Sequence, residues 1–442
     1  MVIVAILIAG ALFTLGRVII RRVAQADRWL EKALTVSLLL HLASAPAQIW
    51  VVDHIYGGVS DYNRYISQGA VLSEGFRHFN FSLAPAHLQG IVSDGSVSIV
   101  AGVVFAIIGV NKLGGFFVFS FLSFVGIIFF YRAFTTTFGR AGSRRYGYLL
   151  FFLPTLIFWT ADVSKEAIMT FLLGLTAYGC ARVLANRKGG YWMILLSSAG
   201  GVFIRPNEVL LALGGFIMAM LIRPANPNVR LKGSRRTAAL IFLGSLLAVS
   251  IFVTLHYLPG VNGSLSLTQI STNNNVGVAG NGSSNLSYSP SILAYPQDVY
   301  SVLFDPLPIT AHGTSELLSA VENTVLLIVV LTSLRRLLLV PRVALARTYV
   351  AMCVVFTGAF FYAFAALGNA GLIERERAVM MPFFLVLLCI PRGPRHSPPR
   401  YEWELPRRAR TARRKALTLR ASAGRRASSG RHGGIAQPPL PP

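Results

Sequence analysis

The sequence predicts an all-α polytopic membrane protein, on three observations. Of its 442 residues, 54% are hydrophobic and 13% charged, and the mean hydropathy is +0.58, a composition too apolar for an ordinary soluble domain. The apolar residues fall in runs that suit a bilayer core about 30 Å thick, which takes roughly 20 helical residues to cross. Lys and Arg gather between those runs rather than inside them.

The N-terminal run MVIVAILIAGALFTLGRVII has no basic stretch before it and no small-residue cleavage site after it. It reads as the first span rather than a signal peptide. Spans follow at 34–52, 114–131, 147–161, 167–185, 237–257, 318–334 and 348–367, with shorter apolar segments at 190–204, 207–222 and 378–391. That makes about 11 transmembrane helices, the short ones reading as broken helices inside a bundle. Orientation comes from the basic clusters, which mark cytoplasmic loops. Those clusters are Arg17 to Lys32, Arg140 to Arg145, Arg182 to Lys188, Arg223 to Arg236, and Arg335 to Arg347. The outer loops are then 53–95 and 259–317. The run VSIVAGVVFAIIGV at 97–110 is apolar enough to cross, but counting it would put the Arg140 cluster outside. It is therefore read as a juxtamembrane helix at the outer interface; the alternative is that it spans and a short segment elsewhere does not.

The transmembrane domain takes up 1–391. Residues 392–442, with RRARTARRKALTLR at their centre, read as a disordered, basic, cytoplasmic tail whose partner is anionic lipid headgroups. Without aromatic interleaving or a fold of its own, the tail does not read as a nucleic-acid binder. The 259–317 loop is rich in Asn, Gly and Ser, which fits either a mobile connector or a lid. Cys180, Cys353 and Cys389 all lie in apolar runs and read as packing residues. No P-loop, GxGxxG after a strand, HExxH or Cys/His metal spacing is present, so cytoplasmic nucleotide-sugar chemistry has no support.

Chemistry concentrates in SDYNRYISQGAVLSEG at 60–75. Tyr62, Tyr65, Ile66, Gly69, Leu72 and Phe76 recur at helical spacing, which predicts a short surface helix. Ser60 stands as its N-cap and Asp61 in its first turn. An ionised carboxylate there suits a general base or a metal ligand; it also suits a residue that merely starts the helix. Arg205 and Glu208 lie between two half-length apolar segments, where charge is costly unless paired or lining a wet cavity. They mark either a site or a local ion pair. Glu374, Arg375, Glu376 and Arg377 alternate in sign and read equally as a solvated cluster or as a site.

The order of SDYNRYISQGAVLSEG resembles the first outer loop of the GT-C integral-membrane glycosyltransferases, which include lipid-linked mannosyl and aminoarabinose transferases. Asp61, Tyr65 and Gly75 occupy that loop's acidic, Tyr and Gly places. LPTLIFWTADVSKEAIMTFLLGL at 153–175 is similar to family segments joining two spans at the outer face, and FIRPNEVLL and GLIERERAVMMPFF agree more weakly. The resemblance implies a GT-C-like fold in the inner (plasma) membrane with an active site on the outer face. It implies transfer of a sugar from a polyprenyl-phosphate-linked donor to a glycan or lipid acceptor of the cell envelope. Asp61 and Asp162 would be catalytic, Asp61 as base, and Tyr65, Lys165, Glu166, Arg205 and Arg377 would bind substrate. Where the family often has a second acidic residue beside the catalytic one, Tyr62 stands, so participation of a divalent metal stays open. A polymerase of lipid-linked repeat units and a lipid or solute transporter are the other readings; the transporter would favour internal repeats, and none is visible between the halves.

Overall fold

Glycine lets the two central helices of the bundle touch. A Cβ at Gly126 would lie 2.4 Å from the carbonyl oxygen of Thr170, and one at Gly174 2.4 Å from that of Gly126, so only hydrogen fits at this crossing. Gly126 belongs to α5 (Lys112–Phe138) and Gly174 to α8 (Lys165–Leu184). The computed structural model describes residues 2–25, 27–55, 58, 60–83, 90–222, 233–257, 292–311, 314–364 and 370–391. Its elements there are helical, with no strand among the described residues.

Before α5 come α1 (Val2–Ala24), α2 (Arg28–His54), α3 (Asp61–Arg77) and α4 (Asp94–Ile108). Asp27 caps α2, accepting from the amides of Trp29 and Leu30, and Arg17 of α1 pairs with Glu31 of α2 at 3.0 Å. Between α5 and α8 lie α6 (Ser143–Phe152) and α7 (Pro154–Phe158). After α8 come α9 (Gly190–Ile204), α10 (Pro206–Ile222), α11 (Gly233–Tyr257), a 3-10 turn at Ile292–Ala294 and α12 (Tyr295–Phe304). The chain then runs through α13 (Thr314–Leu337), α14 (Val340–Ala346), α15 (Thr348–Phe364) and α16 (Ala370–Leu388). The core is built where α8 packs on α5 and α9, and α15 on α10 and α16. One compact unit holds 1–223 and 239–392; of the other, 224–238 with 393–442, only 233–238 are among the described residues.

Four helices, α1, α2, α5 and α8, are long and apolar enough to cross a membrane. A fifth candidate is the pair Ser319–Leu337 and Val340–Ala346, bent by 62°, read as one broken span. Further apolar helices of 14 to 17 residues, α4, α9, α10, α15 and Leu243–His256 within α11, fall short of that length. The chain is thus an all-helical, multi-pass membrane protein with four or five full-length candidates among the described residues, where the sequence predicts about 11 spans. Part of the difference lies in the short helices, which at 1.5 Å per residue reach only part of the way across a bilayer core. In addition, the predicted span 147–161 is divided at Leu153–Pro154 between α6 and α7, and that at 378–391 belongs to α16, which carries Glu374 to Arg377.

Helices α3 and α4 form a parallel pair. Tyr65 meets Asp94, Gln68 meets Ser98, and Arg77 meets the carbonyls of Phe105 and Ala106, so α3 and α4 start and end together. Close approach depends on small residues: a Cβ at Gly69 would lie 2.8 Å from that of Ala101, and one at Gly102 2.9 Å from that of Leu72. Ser60 takes the N-cap position of α3 but its side chain makes no capping bond. The segment 259–317 is not wholly the connector its composition suggests. Its later part forms α12, with Val302, Leu303 and Phe304 buried, while 258–291 and the tail 392–442 lie outside the described residues. Cys180, Cys353 and Cys389 are free and buried.

Candidate active site

The N-termini of α3, α4, α8 and α16 converge with the α9–α10 junction on a cluster of charges. Asp61, in the first turn of α3, has 50% of its side chain exposed and accepts from Arg375 Nη1 at 2.9 Å. Arg375 Nε donates to Glu166 Oε1 at 2.7 Å. The same Glu166 oxygen accepts from Arg205, whose guanidinium also reaches Glu208 at 2.7 Å and Glu376. Charges therefore alternate from the exposed rim at Asp61, through Arg375, Glu166 and Arg205, to fully buried Glu208.

Local sequence explains how each charge comes to point inward. Pro206 cannot follow a residue in ordinary helical conformation without a clash, so the chain breaks at Arg205 (φ −144°, ψ 83°) between α9 and α10. Glu166 sits in the first turn of α8, where free amides and the helix dipole favour a carboxylate. Glu374 to Arg377 are consecutive in α16, and successive helical side chains are splayed by about 100°. Each takes a different partner: Ser319, Asp61 with Glu166, Arg205, and Asn323.

A second group forms around Asp94, in the first turn of α4. It accepts from the Tyr65 hydroxyl at 2.8 Å, from Lys165 Nζ at 2.6 Å and from Arg64. Lys165 also donates to the Ser93 hydroxyl at 2.8 Å. Ser93 has φ +68°, a conformation non-glycine residues rarely adopt and one that tends to occur at functional sites. Its backbone N–H donates a hydrogen bond to the Phe203 carbonyl oxygen at 2.7 Å. Burial works against the charge on Asp94, but Lys165, Tyr65 and Arg64 together hold its carboxyl below the ordinary range.

Asp162 lies in the turn between α7 and α8, nearly enclosed, with Oδ1 buried and without a hydrogen-bond partner. Burial pushes its carboxyl up to about 7, against the pull of Arg375. A carboxyl held above its ordinary range by burial has an environment that suits a general acid or base.

Of the residues singled out from sequence, Asp61, Glu166 and Arg205 join one connected line, Tyr65 and Lys165 meet on Asp94, and Asp162 lies within electrostatic reach of Arg375 and Glu166. Arg377 goes elsewhere. It is 1% exposed and donates to Asn323 Oδ1 at 2.7 Å and the Leu303 carbonyl at 3.0 Å, tying α12 to α13. Its neighbour Arg375 stands where Arg377 was expected. Asp94 was also missed, although a Ser-Asp step opens both α3 and α4. Among the described residues no three of His, Cys, Asp and Glu gather as metal ligands. Asp61, Asp94 and Glu166 are paired with Arg or Lys, whereas Asp162 Oδ1 is buried without a hydrogen-bond partner.

An apolar groove of about 400 Å³ opens beside this cluster between α4, α8 and α9, lined by Ile99, Val100, Ile168, Leu172, Phe203 and Ile204. Of its lining residues, Ile168 lies three positions after Lys165 in α8 and Ile204 immediately precedes Arg205.

Residues 97–257, less than half of the chain, match the family described as dolichyl-phosphate-mannose-protein mannosyltransferase. The matched stretch holds Asp162, Lys165, Glu166, Arg205 and Glu208; Asp61, Asp94 and residues 374–377 lie beyond it. No curated protein and no solved structure matches the chain. The family match supports a membrane glycosyltransferase of the GT-C type.

Proposed function

We propose that this protein is a GT-C-type membrane glycosyltransferase that moves a sugar from a polyprenyl-phosphate-linked donor to a cell-envelope acceptor at the outer leaflet, with Asp61 as general base. The observation that carries this reading is the meeting of a half-exposed carboxylate and a guanidinium at 2.9 Å. Together they supply the two charges such a transfer needs. The acceptor hydroxyl gives its proton to Asp61 as its oxygen bonds to the anomeric carbon. The bond from that carbon to the donor phosphate breaks, and the electron pair leaves with the polyprenyl phosphate. Cations held near that phosphate stabilise the departing charge.

The apolar groove suits an isoprenoid chain, and its lining residue Ile168 lies one helical turn from Lys165. Lys165 is positioned by Asp94, and Tyr65 and Arg64 fix Asp94 in turn. The coextensive α3–α4 pair supports a surface placement for both helices: α3 carries Asp61, Arg64, Glu74 and Arg77 along its length, too many charges for a lipid-exposed span. An outer face for this pair, a cytoplasmic C-terminus, and anionic lipid as the partner of residues 392–442 belong to the same proposal.

The test is sugar transfer from a lipid-linked donor pool by purified wild type and Asp61→Asn at matched folded amounts. Loss of a general base costs roughly 100-fold to 10,000-fold, and the Asn variant should still insert and fold. Equal rates would remove Asp61 from the mechanism.

A further inference from the structure

We propose that Arg375 is shared between the base and the donor phosphate. It occupies Asp61 until a phosphate draws it away, so the donor must bind before Asp61 can accept a proton. The inference rests on the donor class given above and adds an order of events to it.

Three features of the cluster single out Arg375. Arg205 serves Glu166, Glu208 and Glu376 at once and is 8% exposed. Lys165 is committed to Asp94 and Ser93, and Arg64 to Asp94. Arg375 is different: its Nε end is anchored on fully buried Glu166, while its Nη1 end meets Asp61 where both side chains retain exposure, 21% and 50%. The anchored end fixes the guanidinium in place, and the exposed end can change partners.

The exchange is favourable in direction. Exposed carboxylate pairs are weak and screened, whereas a phosphate offers the planar fork two oxygens at once. Once Arg375 turns to phosphate, Asp61 Oδ2 loses its donor and becomes open to the acceptor hydroxyl. After transfer Asp61 carries the acceptor's proton and no longer competes for Arg375, which stays with the polyprenyl phosphate product. Loss of that proton to solvent restores the carboxylate, which draws Arg375 back and helps expel the product.

The full-length protein in nanodiscs is titrated with a polyprenyl monophosphate, and with the corresponding polyprenol to isolate the phosphate contribution. Asp61→Asn should tighten monophosphate binding about 1.5- to 5-fold, the range expected from releasing an exposed ion pair. Arg375→Ala should weaken it about tenfold or more, as loss of a charge-assisted bond does. In the Arg375→Ala background, Asp61→Asn should give no tightening, and polyprenol affinity should be the same in all variants. Simple repulsion between Asp61 and phosphate would persist without Arg375, so tightening that survives in that background overturns the proposal. So does unchanged affinity in Asp61→Asn. If Arg375→Ala does not fold, Arg375→Lys keeps a cation beside Glu166 without the fork, and the Asp61→Asn effect should shrink in it; an effect as large as in the wild-type background overturns the proposal. Absence of phosphate-dependent binding by wild type would overturn the donor class itself and this inference with it, whereas intact binding without coupling overturns only the sharing of Arg375.

Discussion

Replacing Arg205 with alanine should cost stability before it costs substrate affinity. The guanidinium is the cation that Glu208 and Glu376 share, and it contributes with Arg375 to Glu166. These carboxylates come from α8, α10 and α16, so the substitution leaves charge uncompensated at the junction of three helices. Glu166 keeps Arg375; Glu208, whose Oε2 is already buried and without a hydrogen-bond partner, keeps no cation among the bonds described. Removing one partner of a buried pair costs about 3–5 kcal/mol, and for a chain of this size that lowers the melting midpoint on the order of 3–5 °C. The assay is size-exclusion after stepwise heating in one detergent. A companion triple variant, Arg205→Met with Glu208→Gln and Glu376→Gln, should recover most of the loss, because neutral amides remove the burden of unpaired charge. If Arg205→Ala melts like wild type yet binds polyprenyl phosphate poorly, Arg205 is a substrate ligand and the structural account of it fails.

Gly126→Ala would drive a methyl to 2.4 Å from the Thr170 carbonyl oxygen and 2.6 Å from Phe171 Cα, so it should lower the yield of folded protein. Overpacking of this kind costs about 1–3 kcal/mol or more, and a normal melt would show that the α5–α8 crossing is loose. Asp94 ionises in the folded state below its ordinary value of 3.8. The stability it adds is therefore complete above about pH 4 and is lost as the pH falls through the lowered folded-state value. Melting midpoints at pH 5 and pH 3 should differ more for wild type than for Asp94→Asn, and equal acid sensitivity would count against the Lys165–Asp94 pair. Reporters fused near residues 142 and 232 should read cytoplasmic and those near 60 and 275 external; a cytoplasmic signal at 60 would displace the proposed outer-face site.

The helical membrane class is legible in the residues alone, because apolar runs of bilayer length admit few other solutions. So is the placing of Asp61, since Ser60 and the spacing of Tyr62, Tyr65, Gly69 and Leu72 define where α3 begins and which face it buries. Arg205 and Glu208 were legible as a costly pair for the same local reason: charge beside a proline break between apolar segments needs a partner. Which partner each charge takes depends on how the helices pack. Arg205 meets Glu376 across 171 residues of chain and Arg375 meets Asp61 across 314, separations at which no local pattern constrains pairing. Within Glu374 to Arg377 the four side chains leave the helix in different directions, so neighbours in sequence serve different neighbours in space. That rotation puts Arg375 at the rim with Asp61 and buries Arg377 against Asn323, and it is why a string of alternating charges could not be divided into site and scaffold until the helices were packed.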